Sequence, residues 1–251
     1  MQNRILDLTT NLLMRGNNIK MDKYRGIIFD FNGTLFWDSE MHQEAWRIFS
    51  KRIRGTMFTD EEMRKYMFGR TNKDIIQYAI SKEPTPEMVK ELADEKEALY
   101  RDMCKKDGEN CKLAPFAEEF LDYLKSNNIP RTIATMSEKD NVDFYIEHFK
   151  LKRWFDLDKI VYSDGKIKGK PAPDIYQIAA TNLGLTTNDC VVVEDAESGI
   201  ESARAAGIGK IVAIASMEPI EFYKKIPAVS QIITDFHDFE SIISKDLVSA
   251  N

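Results

Sequence analysis

The sequence of 251 residues contains little cysteine and no long apolar run. Its three cysteines, Cys104, Cys111 and Cys190, show no paired CxxC spacing, which argues against a disulfide framework or a zinc site. No apolar stretch approaches the roughly 20 residues that a membrane-spanning helix needs. Polar and charged residues interrupt the first twenty positions, so that a signal peptide is not expected there. We therefore expect a cytoplasmic protein that has no membrane partner.

An excess of basic charge is also missing. Lysine and arginine together number 35 against 41 aspartates and glutamates, and the formal net charge is -6. Non-specific binding of nucleic acid requires a basic face, so we expect no nucleic-acid partner. Hydrophobic residues make up 43% of the chain, which suits one large domain or a core with a smaller companion. The sequence carries no signal for an oligomeric state.

Six short apolar runs recur along the chain, and helical patterns separate them. Runs that are rich in β-branched residues and lack strict alternation are typical of strands covered on both faces. Helices between successive strands make the sheet parallel, and right-handed crossovers give a doubly wound α/β core. The predicted strands are residues 26–29, 131–134, 159–162, 191–193, 210–214 and 231–233.

The stretch from residue 37 to residue 112 follows a different, almost entirely helical pattern. Helices are predicted near residues 39–53, 60–67, 73–81 and 85–104, with turns at 69–72 and 83–86. An all-α bundle is therefore expected as an insert directly after the first strand. We predict an N-terminal extension over residues 1–21, a core over 22–36 and 113–251, and the insert over 37–112.

Polar residues stand at the ends of the predicted strands. Asp30, Thr135 and the pair Glu194–Asp195 follow strands directly, and Lys170 lies in a loop after another strand. Ligands of open α/β sheets bind outside the carboxyl ends of the strands, so these side chains should meet. Each residue alone has an ordinary explanation, such as a strand-end cap or a solvated charge. Three carboxylates at one place would repel one another unless a cation lay between them. Taken together, these residues therefore favour a cation site.

Four segments in this order resemble the motifs of the haloacid dehalogenase superfamily. They are Asp30-Phe31-Asn32-Gly33-Thr34, Thr135, Lys170-Pro171-Ala172-Pro173-Asp174 and Val193-Glu194-Asp195. The resemblance extends from about residue 22 onward. It implies a Rossmann-like doubly wound parallel sheet with an all-α cap inserted after the first motif. The cap looks like that of the subgroup containing β-phosphoglucomutase and phosphoglycolate phosphatase.

The resemblance also implies Mg²⁺-dependent phosphoryl transfer from a small phosphorylated substrate. Asp30 would attack the phosphoryl group and form an aspartyl-phosphate. Mg²⁺ takes oxygen ligands, and the resemblance assigns them to Asp30, Asp195 and the backbone carbonyl of Asn32. Glu194 would lie behind these ligands or reach the ion through water.

Further contacts to the phosphoryl group follow from the same motifs. Thr135 would donate a hydrogen bond to a phosphoryl oxygen, and Lys170 would pair with both that group and Asp30. Ser137, two residues after Thr135, is a candidate substrate contact. Positioning and charge neutralisation of this kind are the main requirements of phosphoryl transfer.

Asn32 departs from the family pattern. Phosphatases and mutases of the family normally have a second aspartate at this position, which protonates the leaving oxygen and later deprotonates the attacking water. An amide cannot carry a proton, and general acid–base catalysis contributes about 10²–10⁴ in rate. We therefore expect a slow phosphatase, or one whose substrate has a good leaving group. A weak or inactive protein that binds Mg²⁺ and a phosphorylated ligand is the alternative, as is an engineered substitution that traps an intermediate.

Four cap residues are candidate substrate contacts: His42, Arg70, Lys73 and Lys96. His42 has the spacing from the catalytic loop that the mutase pattern shows, although a mutase needs the missing acid–base aspartate. Lys73 lies near the Schiff-base lysine of phosphonoacetaldehyde hydrolase, a relative that also lacks the second aspartate. A phosphonatase-like hydrolase and a β-phosphoglucomutase-like mutase are therefore further alternatives. Each of the four residues could equally be an ordinary side chain on a helix surface.

Overall fold

The computed structural model describes residues 24–67, 70–108 and 111–237. The predicted N-terminal extension over 1–21 lies outside the described residues. The strands are β1 (Gly26–Phe29), β2 (Arg131–Glu138), β3 (Val161–Ser163), β4 (Cys190–Glu194), β5 (Lys210–Ile214) and β6 (Gln231–Ile233). The helices are α1 (Ser39–Arg54), α2 (Asp60–Tyr66), α3 (Asn72–Ile80), α4 (Pro86–Asp107), α5 (Ala117–Ser126), α6 (Lys139–His148), α7 (Asp174–Asn182), α8 (Glu197–Ala205) and α9 (Ile220–Tyr223).

The strands form one parallel sheet in the order β3-β2-β1-β4-β5-β6. β1 lies at the centre, where Ile28 is in register with Thr132 of β2 and Val192 of β4. All four residues of β1 are buried, as expected of a strand with helices on both faces. The predicted α/β fold, a Rossmann-like doubly wound parallel sheet, is thereby confirmed.

Alternate side chains of β1 enter two different hydrophobic layers. Ile27 and Phe29 belong to a cluster that includes the ring of Phe120, which meets Phe29 edge-on at 6.1 Å between centroids. Ile28 belongs to the cluster on the opposite face, with Tyr176 of α7. The period of two along a strand explains this division. The apolar run therefore holds the strand, and Asp30 directly after it, in a fixed place.

The four predicted helices of the insert are present as α1 to α4, which we call the helical segment (residues 39–107). Trp46, Phe49 and Ile76 are among the buried residues of a separate apolar cluster within this segment. α4 also contributes Tyr100 and Cys104 to the cluster on one face of the sheet. The last helix therefore joins the helical segment to the sheet. Within the described residues, no helix combines the length and the apolar character needed to cross a bilayer.

Three strands differ from their predicted bounds, and of these β4 (Cys190–Glu194) is longer by one residue at each end, so that it includes Glu194. β2 continues to Glu138, so that Thr135 and Ser137 lie within it and its register with β3 shifts after Ala134. Their hydroxyls bond inside the protein, so their polarity does not mark the end of the strand. β3 begins at Val161, because residues 157–159 form a 3₁₀ turn that is capped by the Asp156 side chain.

Candidate active site

The loop after β1 brings Asp30 and Asp195 to the same edge of the sheet. The backbone N–H of Asp30 donates to the carbonyl oxygen of Val193 at 3.0 Å, which fixes the loop beside β4. Gly33 has a φ of +82°, and a Cβ there would lie 2.2 Å from Oδ2 of Asp195. Only glycine fits this turn, because a side chain would be strained and would displace the carboxylate. The hydroxyl of Thr34 donates to Oδ1 of Asp195 at 2.9 Å.

Lys170 bridges two buried carboxylates. Its Nζ donates to Oδ1 of Asp30 at 2.6 Å and to Oε1 of Glu194 at 2.5 Å. The hydroxyl of Tyr176 also donates to Oε1 of Glu194, and the backbone N–H of Ala196 donates to Oε2 at 2.8 Å. Both oxygens of Glu194 are therefore bonded within the protein. This arrangement makes Glu194 the anchor of Lys170, while Asp30 and Asp195 keep oxygens that can face a ligand.

The pKa values of Asp30 and Asp195 are raised, first by burial and then by neighbouring carboxylates. Burial raises the pKa of Asp30 to about 7, with a contribution from the charge of Glu194 and against the opposing effect of Lys170. Burial and the charges of Glu194 and Asp30 hold the pKa of Asp195 well above its usual range. Burial alone would lower the pKa of Lys170, but the two carboxylates it touches raise it instead. The site therefore has more negative charge than one ammonium group balances, and a cation would relieve it.

The site offers few side-chain ligands, all of them oxygen donors. Such a site suits Mg²⁺ better than a metal ion that needs three or more side-chain ligands. Within the described ranges, no three or more histidine, cysteine, aspartate or glutamate side chains form a set that could hold a metal ion. Mg²⁺ is usually bound through one or two carboxylates together with water and phosphate oxygens. Asp30 and Asp195 provide such a pair, since both are buried at the same edge of the sheet, next to Glu194.

The side-chain amide of Asn32 makes four hydrogen bonds. Its Nδ2 donates to Oδ2 of Asp38 at 2.6 Å and to the hydroxyl of Tyr145 at 2.9 Å. Its Oδ1 accepts hydrogen bonds from the hydroxyls of Ser137 at 2.7 Å and Thr135 at 3.3 Å. The amide has no remaining hydrogen-bonding capacity, so Asn32 is held in one orientation.

A cavity of about 540 Å³ opens above these groups and extends to the helical segment. It brings together nine of the eleven predicted site residues, and its wall also includes Glu97, Arg101, Glu138 and Asn141. The nine are Asp30, Asn32, His42, Arg70, Thr135, Ser137, Lys170, Glu194 and Asp195.

Two predicted residues are placed elsewhere. Lys73 is half exposed and pairs with Glu83 at 2.8 Å between Nζ and Oε1, away from the lining of this cavity. Lys96 is 1% exposed and lies behind His42, with its Nζ 3.2 Å from Nδ1 of the ring and a salt bridge to Glu97. Burial lowers the pKa of Lys96, against the opposing charge of Glu97. A helical pattern gives the spacing of such residues but does not show which neighbours cover them.

Several residues of the site were missed by the sequence analysis. Nη1 of Arg101 donates to Oδ1 of Asn141 at 2.7 Å, and Nδ2 of Asn141 donates to Oε2 of Glu97 at 2.8 Å. Glu97 and Arg101 are four residues apart on α4 and so share a face, which is a weak signal for a joint role. Asp38 precedes the predicted helix near residues 39–53, and nothing in its spacing indicates a contact with Asn32.

Gly199 lets α8 approach the buried carboxylate of Glu194. A Cβ at Gly199 would lie 1.6 Å from Oε1 of Glu194, so Gly199→Ala must displace the anchor of Lys170. We expect this substitution to lower the free energy of unfolding by about 1–3 kcal/mol, as overpacking typically does. Urea unfolding measures the effect. The control is Gly169→Ala, whose nearest neighbour would be 3.9 Å away; equal losses in both variants would contradict the prediction.

Comparison with known proteins identifies similar chains. Residues 27–213 match the family described as haloacid dehalogenase-like hydrolase. The fructose-1-phosphate phosphatase of Escherichia coli is 30% identical over 76% of this chain and 96% of its own length. The phosphorylated carbohydrates phosphatase of Thermotoga maritima is 27% identical over 75% of this chain and 84% of its own length.

The same fold occurs in a solved structure. The crystal structure of a HAD hydrolase of family IA, variant 3, from Entamoeba histolytica has a TM-score of 0.83 to this chain. It is 40% identical, and the match covers 88% of this chain and 98% of that chain.

Proposed function

Because the chain belongs to the haloacid dehalogenase-like hydrolase family, we propose that it is a Mg²⁺-dependent phosphatase of a small phosphorylated metabolite. The reaction would proceed through an aspartyl-phosphate on Asp30. One observation supports this most directly: Nζ of Lys170 lies 2.6 Å from Oδ1 of the buried Asp30. The ammonium group can neutralise part of the negative charge of a phosphoryl group. The carboxylate beside it can then approach the phosphorus atom.

Different residues of the site have different roles in phosphoryl transfer. Asp30 attacks the phosphorus atom through the oxygen that Lys170 leaves open, while the ester P–O bond breaks and its oxygen leaves with the alcohol part of the substrate. Water then hydrolyses the aspartyl-phosphate, which releases phosphate and restores Asp30. Lys170 balances the charge of the phosphoryl oxygens. When the substrate enters, the hydroxyls of Thr135 and Ser137 turn from Oδ1 of Asn32 and donate to the phosphoryl oxygens. Mg²⁺, held by Asp30, Asp195 and the carbonyl of Asn32, would neutralise further charge on the phosphoryl group.

Asn32 limits which esters are hydrolysed quickly. An amide cannot protonate the leaving oxygen, and the loss of this step costs about 10²–10⁴ in rate. Esters with good leaving groups need no acid and are therefore the better substrates. A mutase is disfavoured for the same reason, because it must move protons between two hydroxyls.

The helical segment is proposed to act as the cap over the site, with the insert spanning residues 37–112. His42 and Arg70 face the cavity from this segment, so they are proposed as substrate contacts. The wall beyond the phosphate position mixes carboxylates, amides and guanidinium groups such as Glu97, Asn141 and Arg101. Such a wall suits a ligand with several hydroxyl groups, in agreement with the sugar phosphates in the names of two relatives.

The test is phosphate release from p-nitrophenyl phosphate and a panel of sugar monophosphates, with MgCl₂ or with EDTA. We expect hydrolysis only with Mg²⁺, and faster turnover of the aryl ester than of the alkyl esters. Mg²⁺ at about 100 times its Kd should also raise the free energy of unfolding by about 2.7 kcal/mol. Hydrolysis that is unchanged in EDTA would contradict the metal assignment. Mg²⁺ stabilisation without hydrolysis of any ester would favour a binding protein.

A further inference from the structure

Asp38 is a buried carboxylate just before α1. It follows the loop after β1 (residues 30–36), which we call the catalytic loop because the proposed function places Asp30 and Asn32 in it. Its side chain is 1% exposed, and three groups converge on its Oδ2. Nδ2 of Asn32 donates to it at 2.6 Å, the hydroxyl of Tyr100 also donates, and Nε2 of His42 lies 3.3 Å away. Its Oδ1 is buried and has no hydrogen-bond partner among the residues that the structure describes. The Asp38 side chain is therefore bound through one oxygen to the loop and to the helical segment at once.

The contact between Asn32 and Asp38 requires one amide and one carboxylate. An amide N–H donates to an anionic oxygen, and hydrogen bonds to a charged acceptor are stronger than neutral ones. Two donors and a ring nitrogen of His42 meet at the same oxygen of Asp38, as expected where that oxygen belongs to a carboxylate anion. Two carboxylates at this distance would repel each other.

We infer that Asp38 is a positioning residue for the catalytic loop, and that Asn32 and Asp38 form a matched amide–carboxylate pair. The carboxylate fixes the nitrogen of the amide, so Oδ1 of Asn32 must face the hydroxyls of Ser137 and Thr135. These are the hydroxyls to which the proposed function assigns the phosphoryl oxygens, and the inference rests on that proposal for its catalytic part. The pair itself rests on the geometry alone.

The same carboxylate ties the loop to the helical segment. His42 of α1 stacks on Tyr100 of α4 with ring centroids 3.9 Å apart, and both rings contact Asp38. The hydroxyl of Tyr145 lies 2.9 Å from Nδ2 of Asn32 and 3.3 Å from the hydroxyl of Tyr100. The orientation of the Asn32 amide therefore depends on how α1 and α4 pack over the site.

This pairing changes what Asn32→Asp should do. The single substitution would place a second carboxylate against Asp38, instead of simply restoring the family's proton carrier. The exchange Asn32→Asp with Asp38→Asn keeps one amide and one carboxylate, but moves the carboxyl group into the loop. Only the double variant should therefore regain both the pair and a group that can carry a proton.

The experiment compares the parent, Asn32→Asp, Asp38→Asn and the double variant by thermal unfolding and by steady-state hydrolysis of a sugar monophosphate with Mg²⁺. We expect Asn32→Asp to lower Tm by about 5 °C, and the double variant to regain most of that loss. The double variant should exceed the parent in kcat by at least about tenfold, in line with the gain of an acid. Asp38→Asn should lower kcat by a larger factor than it changes KM, because the carboxylate acts through the loop.

Glu62→Gln is the matched control. Glu62 also accepts from a tyrosine hydroxyl in the helical segment, that of Tyr78 at 2.8 Å, but it lies away from the cavity. This control should change Tm without changing kcat. The inference is overturned if Asn32→Asp alone is as stable and as fast as the double variant, or if Asp38→Asn leaves kcat unchanged. If no variant hydrolyses any ester, the proposed function fails, while the recovery of Tm in the double variant still tests the pair.

Discussion

Replacement of Asp30 by asparagine is expected to reduce kcat for phosphate release by at least about 10³-fold, because the attacking oxygen is lost. Asparagine keeps the size of the side chain and can still accept a hydrogen bond from Lys170. The fold should therefore persist, and Tm without Mg²⁺ should not fall, since one of three mutually repelling carboxylates is removed. Steady-state hydrolysis and thermal unfolding measure the two effects.

The covalent step gives Asp30→Asn a second readout. Rapid acid quench of the parent during turnover should trap a protein whose mass has increased by one phosphoryl group, and Asp30→Asn should show none. Asp143→Asn serves as the control, because Asp143 is an exposed carboxylate that pairs with Lys139 on α6. The assignment of Asp30 is wrong if its variant retains turnover within about tenfold of the parent, or if both proteins are labelled equally.

Replacement of Lys170 by methionine is expected to affect both stability and rate. The side chain has a similar length but no charge, so Asp30 and Glu194 lose the ammonium that both of them contact. Removing one partner of a buried ion pair typically costs about 3–5 kcal/mol, because an uncompensated charge stays buried. We expect a loss of this size in urea unfolding at neutral pH, and a fall in kcat of at least about 10²-fold.

Two other lysine variants separate charge from geometry at Lys170. Lys170→Arg keeps the positive charge and should retain more stability than Lys170→Met. The planar guanidinium group of arginine, however, cannot occupy the position of the lysine ammonium group. Lys159→Met removes a lysine whose pairing with Asp156 at 3.9 Å is largely exposed, and it should change stability little. Equal stability of Lys170→Met and the parent would show that the bridge between the two carboxylates does not hold the site together.

The role of Asn32 differs from what its sequence position suggests. The sequence predicts the loss of a proton carrier, and the amide indeed offers none. The structure adds that the amide makes four hydrogen bonds, one of them to the buried Asp38. These bonds favour an integral role of Asn32 in the loop over a substitution that merely traps an intermediate. Under the proposed function, we expect slow turnover of alkyl phosphates as a consequence of this loop.

The central part of the site could be predicted from the sequence, because short patterns determine it. Buried β-branched runs specify the strands, and a parallel sheet brings the residues after β1 and β4 to one edge. Asp30 and Asp195 are placed by that rule. The helices of the insert follow in the same way from apolar spacing and from N-cap residues such as Thr59 and Thr71, which begin α2 and α3.

Only the tertiary structure decided how the side chains around that centre are paired. Lys170 meets Asp30 across 140 positions of the chain, and Ser137 meets Asn32 across 105. Such contacts depend on how layers of helices pack on the sheet, which a local pattern does not encode. The same packing buries Lys96 behind His42, which no spacing in the sequence reveals.

Asp38 shows the difference most clearly. Its sequence neighbours place it in a linker, where an aspartate is usually solvated or caps a helix. In the fold, α1, α4 and the loop after β1 enclose Asp38, so its carboxylate is removed from water and must find its donors within the protein. The sequence by itself therefore determined the family, the fold and the residues at the strand ends. Packing of distant elements around one buried charge decided which residue holds Asn32.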